Sequence, residues 1–148
     1  MAEASTTPNP AKGRPLSPHL AIWKPGPAMV VSILHRISGA GLALVGLPLL
    51  LWWLAALASG PEAYATMQHW VWTAEPGRLG QMVATVAGRI ALVGLTWAFF
   101  EHLLSGLRHF VMDIGAGYEL RANAMWSWVV LLGSVVLTAA FWAVLMLL

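Results

Sequence analysis

Two long stretches of the sequence contain no charged residue. Residues 37–58 and residues 125–148 are free of Asp, Glu, Lys and Arg, and a helix needs about 20 such residues to cross roughly 30 Å of hydrocarbon. A more polar segment, residues 81–112, is long enough to cross as well. Only 9% of the chain is charged, against roughly 25% in a typical soluble domain. The sequence therefore predicts an all-α membrane protein with three transmembrane helices.

Helix-breaking residues and charged residues set the predicted boundaries of the helices. Two prolines flank Gly26, and proline is favoured in the first turn of a helix, so the first helix is expected to begin just after them. Pro48 predicts a kink inside that helix. The chain then divides into an extramembrane arm (1–27), a first transmembrane helix (28–58), an outer loop (59–80) that can hold a short surface helix, a second transmembrane helix (81–112), an inner loop (113–124) and a third transmembrane helix (125–148).

The basic residues are unevenly distributed across the predicted membrane. Lys12, Arg14 and Lys24 precede the first helix and Arg121 lies in the inner loop, whereas Arg78 lies in the outer loop. The positive-inside rule then predicts that the N-terminus is inside and the C-terminus outside. The expected location is the bacterial inner membrane, or the mitochondrial inner membrane if the source is eukaryotic, with membrane lipid as the surrounding solvent.

Composition excludes several kinds of site. The 8 basic and 6 acidic residues give a net charge of +2, too little and too dispersed for a phosphate-binding surface, so no nucleic-acid partner is expected. The chain has no cysteine, which excludes disulfides and thiolate metal sites within it. A metal would have to be held by histidine or carboxylate.

The second helix carries a stripe of polar and small residues. An ionisable group at the membrane centre costs roughly 2.5 to 3.5 kcal/mol on insertion scales, so such groups usually face the interior of a bundle and have a function there. Successive turns of one helical face present the following residues: His102, Ser105, Gly106, His109 and Asp113. The face thus offers a deep histidine, a small-residue notch and a histidine roughly 10 Å nearer the surface.

This stripe suits a haem that stands in a helix bundle. His102 would be an axial ligand, Gly106 would let the ring approach the backbone, and a group nearer the surface, His35, Arg36 and His109, would meet the propionates. A second axial ligand would have to come from a partner subunit. The alternative for His102 is a histidine that hydrogen-bonds to a neighbouring helix.

Ser32 and Arg36 are neighbours on one face of the first helix near the inner surface. A hydroxyl and a guanidinium at the mouth of an apolar cleft can hydrogen-bond a quinone carbonyl and stabilise negative charge on it. The alternative for Arg36 is a snorkelling anchor. Glu101, next to the predicted haem ligand, has no role that the sequence alone indicates.

Three local strings resemble the cytochrome b membrane subunit of succinate dehydrogenase, the larger anchor polypeptide of respiratory complex II. Residues 14–20, Arg-Pro-Leu-Ser-Pro-His-Leu, resemble the family's N-terminal arm. Residues 32–39, Ser-Ile-Leu-His-Arg-Ile-Ser-Gly, resemble its first-helix signature. Residues 102–113, with the pattern His-x3-Gly-x-Arg-His-x3-Asp, are similar to its second-helix motif. The motifs occur in the family's order and spacing.

The resemblance implies a role for each matching residue. His102 is expected to be one axial ligand of haem b, the other being supplied by the small membrane anchor subunit. Ser32 and Arg36 are expected to line the ubiquinone site. Three further matches, His35, Arg108 and His109, are expected near the haem propionates. Asp113 is expected to form a structural pair with Arg36 or Arg108.

The resemblance also implies a mechanism. Electrons from succinate pass through a flavoprotein subunit and an iron-sulfur subunit to ubiquinone, which binds where the soluble subunits meet the membrane. The chain contains neither a dinucleotide fingerprint nor a cysteine cluster, so no catalytic residue and no activity are expected in this subunit alone. Two alternatives remain open: the anchor subunit of a quinol:fumarate reductase, and a non-catalytic three-helix assembly protein.

Overall fold

The computed structural model describes residues 22–72 and 79–148. The α-helices are α1 (Pro27–Gly41), α2 (Leu47–Ser59), α3 (Pro61–Trp72), α4 (Leu79–Asp113) and α5 (Leu120–Leu147), and a π-helical segment, Leu42–Gly46, joins α1 to α2. Three helical spans are long and apolar enough to cross a membrane: Pro27–Ser59, Met82–Asp113 and Leu120–Leu147. The predicted all-helical fold with three spans is confirmed for the described residues. Most of the arm and Arg78, used to predict the orientation, lie outside them.

The first span changes its hydrogen-bond pattern just before Pro48. Proline has no N–H, and its ring would clash with the carbonyl of the residue four positions earlier in a regular α-helix. The Leu47 N–H instead bonds to the carbonyl of Leu42, while the residues at either end of this segment keep right-handed helical dihedrals. The π-helical turn thus accommodates the proline without ending the span.

Glycines with positive φ separate the elements. Gly60, with φ of 104°, lies between α2 and α3. The predicted outer loop, residues 59–80, contains the helix α3. At the end of α4, Gly115 has φ of 82°. Its backbone N–H donates to the carbonyl oxygen of Met112, and the Ala116 N–H donates to the carbonyl oxygen of Val111. This pair of bonds is a Schellman motif, which ends a helix and reverses the chain.

α5 begins at Leu120, before the uncharged run that predicted it. Glu119 takes the N-cap position with extended ψ of 137°, and the polar residues after it are already helical. Because a helix can extend past the hydrocarbon, the length of the uncharged run underestimates the length of the helix. α5 then runs antiparallel to α4, since Arg108 contacts Asn123 and Phe100 contacts Phe141.

α4 packs against both α1 and α5, α1 also contacts α5, and the interfaces contain small and hydroxyl-bearing residues. Among the described residues, the fully or almost fully buried hydroxyls are those of Ser38, Thr85, Ser105, Ser127, Ser134 and Thr138. On α5 they bond to their own helix: Ser127 donates to the carbonyl of Asn123 at 2.7 Å and Thr138 to that of Ser134 at 2.7 Å. Small residues let the helices approach closely, as in other membrane bundles.

Candidate functional site

Three histidines converge where α1 crosses α4. The imidazole rings of His35 and His102 are stacked, with centroids 4.0 Å apart and planes within 8° of parallel. The His109 ring lies 5.4 Å from that of His35 at an angle of 52°. His102 and His35 are half-buried, whereas His109 is exposed. The structure thus brings together three of the residues that the sequence assigned to a haem site.

The Nδ1 atom of His102 is anchored to α1. It lies 3.1 Å from the backbone carbonyl oxygen of His35 and 3.3 Å from the Oγ of Ser38. Because a carbonyl oxygen can only accept, Nδ1 carries the hydrogen and donates it. In a neutral imidazole the other nitrogen, Nε2, then has the free lone pair. The contact with the carbonyl oxygen therefore favours the tautomer that can bind iron through Nε2.

Gly39 makes the close approach of α1 to the His102 ring possible. A Cβ atom built on Gly39 would lie 2.8 Å from Cε1 of His102 and 3.2 Å from its Nδ1, and the first of these distances is too short for any real side chain. Gly39 is one of the residues of the first-helix motif, and the contact gives a physical reason for glycine there.

A buried carboxyl group lies next to this cluster. Glu101 is 0% exposed, and its Oε2 accepts a hydrogen bond from Ser38 at 2.7 Å, between residues 63 positions apart. Its other oxygen, Oε1, has no hydrogen-bond partner among the described residues. The sequence analysis found no role for Glu101 and did not single out Ser38. The available signal was helical spacing, because Ser38 and Gly39 follow His35 by three and four positions and so share its face.

Ser32 and Arg36 are in contact on α1. The Nη2 of Arg36 lies 3.5 Å from the Oγ of Ser32, one helical turn away. Arg36 is exposed and Ser32 is half-buried, so the guanidinium is available to a molecule outside this bundle.

The predicted small-residue notch on α4 divides into two environments. Ser105 is fully buried and its Oγ has no partner among the described residues, so it faces the bundle. Gly106 is half-buried, and an added Cβ there would meet nothing within 4 Å. The space beside Gly106, one turn from His102, is therefore open to a flat ligand or a partner helix. Asp113, farther along the stripe, is exposed.

Arg108 does not join the histidines. It is 9% exposed, donates to the side-chain oxygen of Asn123 on α5, and lines a cavity of about 160 Å³ with Trp126. Successive residues are about 100° apart around a helix, which turns Arg108 away from the face that His109 occupies. Arg108 bonds to Asn123 and not to Asp113, so the suggested pairing stays a prediction.

The donor set is suited to a haem. The parts of the chain with described structure contain no group of three or more His, Cys, Asp or Glu residues that could hold a metal ion by themselves. A haem iron is held by four porphyrin nitrogens, so the protein need supply only axial ligands. A single histidine whose Nδ1 is held by a carbonyl oxygen, beside an open glycine, is consistent with that requirement.

Known proteins resemble the chain over most of its length. Residues 10–141 match the family described as Succinate dehydrogenase/Fumarate reductase transmembrane subunit. The chain is similar to the succinate dehydrogenase cytochrome b556 subunit of Paracoccus denitrificans, with 40% identity over 84% of this chain and 85% of that protein. It is also similar to the cytochrome b556 subunit of Rickettsia conorii, at 34% identity over 87% and 90%. The mitochondrial cytochrome b560 subunit of Mus musculus is 32% identical over 76% of this chain and 60% of that protein.

Proposed function

Because the chain belongs to the succinate dehydrogenase/fumarate reductase transmembrane subunit family, we propose that it anchors a succinate dehydrogenase in the membrane, binds haem b together with a partner subunit, and forms part of the ubiquinone-reduction site. The relatives named above are all succinate dehydrogenase subunits, which does not favour the fumarate reductase alternative. The soluble flavoprotein and iron-sulfur subunits supply the electrons. The observation that carries the haem assignment is the 3.1 Å contact between Nδ1 of His102 and the backbone carbonyl oxygen of His35, which leaves Nε2 for the iron.

His102 is the proposed axial ligand. Its Nδ1 is occupied by the His35 carbonyl oxygen, so Nε2 can donate its lone pair, and the open side of Gly106 leaves room for the edge of the macrocycle. When bound, haem b supplies a one-electron redox centre within the membrane. The second ligand is proposed to come from the small anchor subunit across the open face of α4.

The propionates are proposed to lie near His35 and His109. These rings are close to each other and to the inner end of the site, and His109 is exposed, so it can meet a carboxylate without losing an existing bond. Support for Arg108 is weaker because its guanidinium already donates to Asn123 and points toward α5. Arg108 instead ties the inner ends of α4 and α5 together.

Ser32 and Arg36 are proposed to bind the quinone. The Ser32 hydroxyl and the Arg36 guanidinium lie side by side and can both donate to one carbonyl oxygen. A charge-assisted hydrogen bond from arginine strengthens as negative charge develops on that oxygen. This pair positions the quinone where electrons arrive from the iron-sulfur subunit.

The orientation is proposed to be N-terminus inside and C-terminus outside. The support is the distribution of basic residues, with Lys24 before the first span and Arg121 in the first turn of the third. Inside is the cytoplasm of a bacterium or the matrix of a mitochondrion.

The haem assignment is tested with His102→Ala in the purified complex. We expect loss of the haem, measured as the reduced-minus-oxidised absorbance of a b-type haem per complex, because alanine has no lone pair for iron. His69→Ala is the matched control, since His69 is a half-buried histidine on α3, and should keep full haem content. Retention of all haem by His102→Ala would disprove the assignment. A parent complex without any b-type haem would favour the assembly-protein alternative.

A further inference from the structure

We propose that Ser38 and Glu101 form a positioning pair that fixes the orientation and the donor strength of the His102 imidazole. This inference rests on the proposed role of His102 as a haem ligand. It assigns a function to the one fully buried carboxyl group among the described residues, which neither the quinone site nor the propionate site uses.

The burial of Glu101 indicates that its contact with Ser38 is a fixed part of the structure. A buried polar group costs free energy unless it is hydrogen-bonded, and a carboxyl group costs more than most. Within the described residues Glu101 has one hydrogen-bond partner, the Ser38 hydroxyl at 2.7 Å. Ser38 is itself only 3% exposed. Both side chains are thus withdrawn from the surface of the chain, and the hydrogen bond between them joins α1 to α4.

The hydrogens of this cluster can be assigned by counting donors. The Ser38 hydroxyl has one hydrogen and two acceptors within reach, Oε2 of Glu101 at 2.7 Å and the backbone carbonyl oxygen of His35 at 3.0 Å, and we assign the hydrogen to the shorter contact, to Glu101. The remaining lone pairs of the Ser38 oxygen then face the Nδ1–H of His102 at 3.3 Å. Nδ1–H is shared between this oxygen and the His35 carbonyl oxygen at 3.1 Å. The result is a chain of hydrogen bonds from His102 through Ser38 to Glu101.

Such a chain of hydrogen bonds raises the basicity of Nε2, the nitrogen on the other side of the His102 ring. Histidine ligands commonly donate their second N–H to a carboxylate or carbonyl, which fixes the tautomer and makes the ligand more basic. Here the serine hydroxyl transmits the effect of the carboxyl group to Nδ1. The parallel His35 ring on one side and Gly39 close to the ring edge restrict the ring further. Glu101 thus acts through Ser38 and does not touch the iron.

Four variants of the purified complex test this chain. Ser38→Ala removes the bridging hydroxyl, Glu101→Leu removes the acceptor, and Glu101→Gln keeps a side-chain oxygen that accepts from Ser38. The fourth is the double variant Ser38→Ala/Glu101→Leu. The readouts are the midpoint potential of the haem and the g values of its ferric low-spin electron paramagnetic resonance spectrum.

We expect Ser38→Ala and Glu101→Leu to shift the g values and to raise the midpoint potential, because a less basic imidazole stabilises ferric iron less. Glu101→Gln should remain close to the parent. The double variant should show no larger shift than Ser38→Ala alone, since both changes interrupt the same chain. Ser134→Ala is the matched control, because the Ser134 hydroxyl is equally buried but bonds the Leu131 carbonyl of its own helix.

Parent-like potentials and spectra in both Ser38→Ala and Glu101→Leu would overturn the proposal. It would also be overturned if Glu101→Leu had its full effect in the Ser38→Ala background, since Glu101 would then act by another route. Failure of the underlying function is recognised separately, because His102→Ala would then retain its haem or the parent complex would contain none.

Discussion

Arg36 is the residue at which a structural and a functional role can be separated most directly. Its guanidinium is exposed and lies one turn from the Ser32 hydroxyl. We expect Arg36→Leu to lower succinate:quinone activity by roughly 10- to 100-fold, since a hydrogen bond from a charged donor is worth about 1.5 to 3 kcal/mol. Succinate oxidation by an artificial dye, which does not use the quinone site, should be unchanged. Both rates are measured on the same purified complex.

Arg36→Lys is the control for charge. Lysine keeps the positive charge but loses the planar pair of donors, so its quinone activity should fall between those of the parent and the leucine variant. If Arg36 were only a snorkelling anchor, lysine would act like arginine. Equal loss of quinone and dye activity in Arg36→Leu would indicate defective assembly of the complex instead.

Contacts between neighbours on one helix could be predicted from the sequence, whereas contacts across helices could not. The Ser32–Arg36 contact follows from a spacing of four residues. The bond from Ser38 to Glu101 joins residues 63 positions apart, and no periodicity indicates which faces of two helices meet. Arg108 was grouped with His109 because both match the family's second-helix motif, although adjacent helical residues point about 100° apart.

At the scale of the helix, charge-free runs locate the spans but not the details of their ends. The uncharged run starting at Met125 indicates the third span, yet α5 begins at Leu120, because backbone hydrogen bonding continues through polar residues outside the hydrocarbon. Pro48 predicted an irregularity in the first span. Its form, a π-helical turn ahead of the proline, depends on which carbonyl accepts each remaining N–H, and the sequence does not specify that.

The crossing of α1 and α4 depends on Gly39. We expect Gly39→Ala to lower the thermal stability of the complex and to disturb the haem, because the new methyl group would meet the His102 ring at 2.8 Å. Overpacking of this kind typically costs about 1 to 3 kcal/mol. The measurements are the melting temperature and the haem absorbance per complex.

Gly41→Ala is the control for this change on the same helix, since an added Cβ at Gly41 meets nothing within 4 Å. It should leave both measurements close to those of the parent. If both alanine variants kept the melting temperature and the haem absorbance of the parent, α1 and α4 would separate easily at Gly39, which would contradict a rigid crossing.

For the whole molecule, the distribution of polar and apolar side chains between buried and exposed positions is the reverse of that in a soluble protein. Buried positions between the spans contain serine and threonine, while large apolar side chains such as Leu44, Ile90 and Val136 are 77%, 68% and 64% exposed. Lipid tails are as apolar as leucine, so this surface suits a bilayer and neighbouring membrane subunits. Composition alone indicated that lipid surrounds the chain, but it does not indicate which exposed face would meet the proposed small anchor subunit.

The absence of cysteine from the sequence allows the orientation to be measured with single introduced thiols. Ala65 on α3 and Ala116 between α4 and α5 are both exposed and lie on opposite sides of the membrane in the proposed orientation. With a membrane-impermeant maleimide, we expect Ala65→Cys to be labelled in intact spheroplasts and Ala116→Cys only in inverted vesicles, because the positive-inside rule places the loop that precedes Arg121 in the cytoplasm. The parent chain, which has no thiol, is the blank for this band. Labelling in the reverse pattern would place the N-terminus outside, and the proposed quinone site at Ser32 and Arg36 would then face away from the side on which the soluble subunits are proposed to bind.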